Sequence, residues 1–225
     1  MLLIHGAIHN GNNMKNHKHI EQGTDEWHQL RKGKITGTTL KSIMGTPRAR
    51  QEALYELVSQ RLKLGLDDDE ENAMQRGVRL ESEAASAFEF ETELETERTG
   101  FSQSEDNPFI ANSPDRWIKD ANGVDLTEGV EIKCPEGKNY VKIWLTNKIP
   151  DDYYWQMIQY FVVNEKLLKM HFVAFNPDIP AHPLHIIEML RRDVEKDIET
   201  ARSEQDKFLK EVEEILSGII SIEEI

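Results

Sequence analysis

The stretch Gly129-Val130-Glu131-Ile132-Lys133-Cys134-Pro135 carries two opposite charges inside a run that otherwise reads as a buried strand. Side chains alternate faces along a strand, so Glu131 and Lys133 point one way while Val130, Ile132 and Cys134 point the other. The apolar face predicts a core against one side of a sheet, with Cys134 a small buried hydrophobe there. The charged face is either an exposed ion pair on an edge strand or part of a site. Nearby, Phe109-Ile110-Ala111-Asn112-Ser113-Pro114-Asp115 ends an apolar run on a second carboxylate. Asp115 after Pro114 can be a simple turn former; converging with Glu131 and Lys133 at the sheet edge, it makes a set that suits a hard cation. Mg²⁺ takes oxygen ligands in octahedral geometry, usually one or two carboxylates with waters and substrate phosphate. Such an ion lowers the pKa of its bound water, and a lysine beside it orients that water or neutralises developing charge. The chemistry this predicts is phosphodiester hydrolysis.

A chain of 225 residues is long enough for one domain with a real core and too short for two comfortable ones, so one domain plus extensions is expected. The single cysteine excludes an internal disulfide and a cysteine-ligated zinc or iron–sulfur site, which fits a reducing cytoplasm. No apolar run approaches the roughly 20 residues that span a bilayer, and the first residues do not read as a signal peptide. The net charge of −14 argues, taken alone, against a nucleic-acid partner. Its distribution argues otherwise: from His28 to Lys63 eight basic residues face two acidic ones, whereas from Glu188 to Ile225 twelve acidic residues face six basic ones. A chain so divided can hold a basic groove within an acidic exterior, or a basic helix face that is merely solvated.

Residues 1–20 are polar, His-rich and without periodicity, and read as a disordered leader to a domain at 21–225. Thr24 or Asp25 can cap a first short helix; Thr36 as cap and Gly45 as stop delimit a second. Leu54, Leu57, Val58 and Leu62 stand at helical spacing, and the acidic run Asp67-Asp68-Asp69-Glu70-Glu71-Asn72 precedes a longer helix through Met74–Phe90. Strands follow from Glu97 to Cys134 in a meander punctuated by Asn122-Gly123 and Glu128-Gly129. Two helices over 138–164, two strands and a helix from about Arg191 to Leu216 complete the chain. The order predicts an α/β fold with a central mixed sheet flanked by helices. In the last helix Val194, Ile198, Ala201, Gln205, Phe208, Val212 and Ile215 recur in steps of three and four, the pattern of a helix packed on its own domain or of a coiled-coil seam.

Ser113-Pro114-Asp115 followed by Glu131-Ile132-Lys133 resembles the PD-(D/E)xK nuclease motif, a short pattern that chance often produces. The resemblance widens to the lambda exonuclease family, with its YqaJ-like viral recombinases, in five ordered blocks: Glu21–Thr38, Gln75–Phe90, Asn112–Asp115, Val130–Pro135 and Tyr153–Tyr160. It implies a restriction-endonuclease-like core and an Mg²⁺-dependent exonuclease, with Mn²⁺ an alternative, that digests one strand of linear double-stranded DNA from its 5′ end. It also implies a homotrimeric ring, a single-strand annealing protein as partner, and phage-type recombination in a bacterial cytoplasm. By the same resemblance Asp115, Glu131 and the carbonyl of Ile132 hold the metal, Lys133 activates the water, Glu81 borders the site, and Tyr153 and Gln156 stand near the scissile phosphate. Arg31 and Thr38 match the pocket for the terminal 5′ phosphate; a guanidinium fork with a hydroxyl at a helix start suits that group. Trp27 reads as a core anchor of the first helix. Two departures stand out: Arg116 follows Asp115 where family members commonly have glycine, and the segment between Asp115 and Glu131 is long, offering Asp120, Asp125 and Glu128 as decoy carboxylates. A site-specific or structure-specific endonuclease of the same fold and a non-catalytic DNA-end-binding protein are the rival functions.

Overall fold

A computed structural model of the chain describes residues 14–17, 19–62, 74–98, 100–118, 126–135, 137–177 and 179–220. In chain order these form β1 (Met14–His17), α1 (Asp25–Arg31), α2 (Gly37–Ile43), α3 (Pro47–Leu62), α4 (Met74–Thr92), β2 (Thr96–Arg98), β3 (Phe101–Ser104), β4 (Ala111–Asn112), β5 (Arg116–Ile118) and β6 (Glu128–Lys133). Then come α5 (Gly137–Thr146), α6 (Asp151–Val163), β7 (Lys169–Phe175), β8 (Leu184–Leu190), a 3₁₀ turn at Arg191–Asp193 and α7 (Glu195–Ile220).

The main sheet runs β2-β5-β6-β7-β8, antiparallel except for the central β6·β7 pair. That pair is parallel because α5 and α6 carry the chain back across the sheet between the two strands, which a tight turn cannot do. The sheet is therefore mixed, as the sequence predicts. A small sheet, β1-β3-β4, lies apart, tied to the strand-like Ile35 through a bridge to Ile110.

The strand alternation read in Val130–Cys134 divides the core in two. Val130 and Ile132 are buried with Ala84, Ala85 and Phe88 of α4, and Cys134 packs at the margin of that cluster. Trp117, Met157, Phe161, Phe172, Phe208 and Val212 fill the larger core on the other face, beneath α6 and α7. Gly129 is required where β6 crosses this core: a Cβ there would stand 2.7 Å from Met170 Sδ and 2.8 Å from Trp117 Cζ3. Val194, just before α7, and Ile198, Ala201, Gln205, Phe208 and Val212 within it are buried, and the helix packs on α2, α3 and α6. The seam thus belongs to this chain's own core. Its one polar member, Gln205, accepts a bond from buried Gln159, 3.2 Å away, whose amide also donates to the carbonyls of Ile35 and Ala111.

Two expectations are corrected. Residues 1–20 do not all form a structureless leader, since Met14–His17 pairs antiparallel with β3; residues 1–13 lie outside the described residues. Glu128 and Gly129 belong to β6 rather than to a turn, and two short strands, β2 and β5, are added. As expected, Thr24 caps α1 by accepting from the Trp27 N–H and Thr36 occupies the cap position of α2, without a side-chain bond; Met44 is the C-cap of that helix, with Gly45 directly after it. The acidic run before α4, with Asp120 and Asp125, lies outside the described residues.

Candidate active site

β5 pairs with β6 only through Arg116–Val130 and Trp117–Gly129. Beyond that point the strands part and leave the far half of β6 without a neighbour on this side. Asp115 drops into the opening, and its Oδ2 accepts the Ile132 N–H at 2.6 Å, a backbone donor that would otherwise face nothing. The carboxylate placed by the Pro114-Asp115 corner thereby stands beside Glu131.

Glu131 is 1% exposed, and a buried carboxylate needs donors. It has three. Lys133 Nζ and Gln156 Nε2 donate to Oε1, the latter at 2.5 Å, and the Tyr160 hydroxyl donates to Oε2. Gln156 Nε2 also donates to the Tyr160 oxygen at 3.0 Å, which closes a small ring of bonds. Tyr153 stands with its ring 5.2 Å from Lys133 Nζ and packs on Phe172. Tyr153, Gln156 and Tyr160 are spaced three and four apart on α6 and share one helix face. Tyr160 is the residue that sequence reasoning missed; its i+4 relation to Gln156 is the signal that could have found it.

The charges explain one another. Burial works against the Lys133 ammonium, but Glu131 and Asp115 more than reverse that, so its pKa is raised and the side chain stays a cation. Burial and the Glu131 charge push the Asp115 carboxyl well above the usual carboxylate range. Burial likewise raises Glu81 on α4, against the pull of Arg98 and Arg116, and Glu81 lies within electrostatic reach of Glu131 and Lys133. Burial and the same acidic groups push the Cys134 thiol up to about 11, so it is protonated and unreactive near neutrality. Burial and the Glu131 and Asp115 charges hold the Tyr160 phenol well above its ordinary value, which keeps it a donor.

Two carboxylates and a third nearby outweigh one lysine, a balance that a cation would relieve. Among the described residues no three His, Cys, Asp or Glu side chains are grouped to hold a metal unaided. The oxygens that could hold one are those of Asp115 and Glu131, with a main-chain carbonyl, water and substrate to complete the set. That fits Mg²⁺ or Mn²⁺ and does not fit the closed shells of structural zinc.

Arg31, the last residue of α1, reaches this loop from outside. Its Nη1 donates to Ser113 Oγ at 3.0 Å, two residues before Asp115, and its guanidinium stacks 4.3 Å from the Trp27 ring centroid. Trp27 is part-buried, its indole N–H donating to the Gly100 carbonyl, so it serves as the platform for Arg31. Burial lowers the Arg31 pKa, while Tyr160 and Glu131 act to raise it. Thr38 is exposed in the first turn of α2. That turn lies hard against α6: a Cβ on Gly37 would be 2.7 Å from Gln156 Cγ. Among the described residues no contact joins Thr38 itself to the Glu131 network.

The basic segment is not one groove. Arg50 and Arg61 of α3 bond Glu211 and Glu213 of α7 at 2.5 and 2.7 Å, and Lys41 bonds Asp152 at 2.6 Å. Arg50 and Arg61 thus help to pack α3 against α7, and Arg31 lies beside the site. The decoy Glu128 is at the other end of β6, bonded to His171 and Lys169 at 2.9 and 3.1 Å.

No helix among the described residues is long and apolar enough to cross a membrane. Comparison with solved structures finds an alkaline exonuclease from Laribacter hongkongensis at 26% identity and TM-score 0.78, covering 88% of this chain and 97% of that one. The same enzyme in complex with dAMP matches at 25% identity and TM-score 0.73, covering 88% and 100%. A phage-related exonuclease from Haemophilus somnus 129PT shares the fold at 16% identity and TM-score 0.55, covering 83% and 96%. No curated protein matches. The α/β architecture is thus of the PD-(D/E)xK type. The sequence profile of the YqaJ-like viral recombinase domain matches residues 26–166, and on that match the chain belongs to the YqaJ-like viral recombinase family.

Proposed function

We propose that the protein is an Mg²⁺-dependent exonuclease that digests the 5′ strand of linear double-stranded DNA to 5′-mononucleotides and leaves a 3′ single-stranded overhang for phage-type recombination. The observation that carries this reading is the gathering of Asp115, Glu131 and Lys133 at the gap between β5 and β6, with both Glu131 oxygens held by donors. A non-catalytic end-binding protein has no physical reason to keep two carboxylates and a lysine buried together. The resemblance to an alkaline exonuclease, one structure of which contains dAMP, supports a nuclease with a deoxynucleotide product.

Each residue then has a task. Asp115, Glu131 and the Ile132 carbonyl would hold the metal, which supplies a bound water of lowered pKa and positive charge to the phosphate oxygens. Lys133 keeps its proton, so it orients the attacking water and offsets charge on the phosphate rather than removing a proton. Gln156 spends both N–H groups on Glu131 and Tyr160, which leaves its carbonyl oxygen to accept from that water. Tyr160 fixes the Glu131 carboxylate, Tyr153 shields Lys133, and Glu81 adds negative charge at the border. Arg31, with Thr38 at the rim, would take the terminal 5′ phosphate and so set the polarity. The family resemblance supports a homotrimer and a single-strand annealing partner in a bacterial cytoplasm.

A linear duplex carrying different labels on its two 5′ ends and two 3′ ends, incubated with and without Mg²⁺, tests metal, polarity and product together. Release of 5′-labelled mononucleotides only with Mg²⁺ is expected, with covalently closed circular DNA left intact. Cutting of the closed circle would turn the assignment to the endonuclease rival.

A further inference from the structure

Arg98 ends β2 at the sheet edge and stands directly opposite Arg116 of β5 in the antiparallel register. Residues so paired have Cβ atoms about 4.5–5.5 Å apart, and like charges there repel. The local carboxylates, Glu21 and Glu81 about Arg98 and Glu81, Glu89 and Asp115 about Arg116, offset the pair's charge but leave hydrogen-bonding capacity unused. Arg98 comes no nearer than 3.8 Å to Glu21 and 4.0 Å to Glu81, both beyond hydrogen-bond length, and Arg116 Nε is buried with no hydrogen-bond partner. Two guanidinium forks therefore meet at one edge with donors to spare. Arg116, register-paired with Val130, lies on the α4 face of the sheet, where Glu81, next to Arg98, is within electrostatic reach of Glu131 and Lys133, so the pair borders the candidate active site from that side.

We infer that Arg98 and Arg116 form a second anion site, which takes a backbone phosphodiester of the DNA strand next to the one being cleaved. This rests on the nuclease reading above and goes beyond it, because neither arginine belongs to the Asp115, Glu131 and Lys133 set. Planar forks with several N–H donors match phosphate oxygens. Successive phosphates of one strand lie about 3.4 Å apart along the duplex axis, within reach of an arginine one residue from Asp115. A bound phosphate also relieves the repulsion between the two arginines.

The test is fluorescence anisotropy of linear duplexes with 5′-phosphate or 5′-hydroxyl ends, without divalent metal, from 50 to 200 mM salt, for the wild type, Arg98→Gln, Arg116→Gln and Arg116→Lys. Losing one phosphate contact lowers the slope of log affinity against log salt by about 0.9. Each Gln variant should bind more weakly, and a fourfold rise in salt should cost it about 3.5-fold less affinity than it costs the wild type, equally on both kinds of end. Arg116→Lys should keep the wild-type slope. Unchanged slopes in the Gln variants overturn the inference, as does a loss confined to phosphorylated ends; if Arg116→Gln proves unstable, the more exposed Arg98→Gln decides. Wild-type digestion measured in parallel separates the failures. Unchanged slopes with an active wild type remove this site alone, whereas a wild type that neither binds nor digests duplex removes the nuclease reading with it.

Discussion

Replacing Tyr160 with Phe removes one oxygen and almost nothing else. The ring is 1% exposed and packed in the core, so its shape stays, and only the donor to Glu131 Oε2 and the acceptor for Gln156 Nε2 are lost. A hydrogen bond to a charged group contributes about 1.5–3 kcal/mol, and Glu131, 1% exposed, has little solvent to replace this one. Glu131 would then be less stable as a carboxylate and less firmly oriented, a change that in metal sites costs roughly 10- to 100-fold in metal affinity or activity. Initial rates of duplex digestion titrated with Mg²⁺ should show a half-saturation point raised by that order. Melting of the metal-free protein should fall by about 3–12 °C, since a chain of this size loses about 2–4 °C per kcal/mol. An unchanged Mg²⁺ midpoint with an unchanged saturated rate would refute the role of Tyr160 in holding Glu131 for the metal, and a lowered melting point alone would reduce its hydroxyl to a bond that steadies the fold.

Lys133→Ala should abolish digestion while DNA-end binding stays within a few-fold of wild type; a fully active variant sinks the assignment. Arg31→Ala should weaken use of 5′-phosphorylated ends by about 10-fold or more, the size of a charge-assisted bond, and spare 5′-hydroxyl ends, so equal loss on both argues against the pocket. Gly37→Ala forces a Cβ to 2.7 Å from Gln156 Cγ and should cost about 1–3 kcal/mol in denaturant unfolding along with much of the activity, because Gln156 is pushed off Glu131. The two bonds from Arg50, at 2.8 and 2.5 Å, hold the Glu211 carboxylate below its usual range. The unfolded chain therefore takes up this proton first as pH falls. The pair's contribution, less than about 1 kcal/mol at this exposure, is whole above about pH 5 and vanishes as pH drops through the lowered Glu211 value. Acid unfolding of Glu211→Gln should lack that part of the wild-type pH dependence; an identical profile counts against it.

Strand alternation and helix periodicity are local, and what depends on them was legible in the sequence. The period of two set Glu131 and Lys133 against Val130 and Ile132, and the sides are those observed. The steps of three and four along α7 picked out buried residues from Val194 to Val212 and the half-buried Ile215. Gln205 stands among them because its partner Gln159 is also buried, which a single helix could not reveal. The five motif blocks likewise led to the family and the fold class.

Contacts between distant segments had no local signature. Asp115 meets β6 because β5 ends its pairing early and leaves the Ile132 N–H unpaired, a matter of register between strands. Tyr160 entered the site when α6 was laid over β6, and β1 became a strand because β3 offered it an edge. The charge imbalance between chain segments was visible in composition; that Arg50 and Arg61 would use it to pack on Glu211 and Glu213 was decided when α3 and α7 came together. Side-chain direction along one element follows from backbone geometry within a few residues. Which elements face each other is chosen by the burial of the whole core, and only the tertiary structure holds that choice.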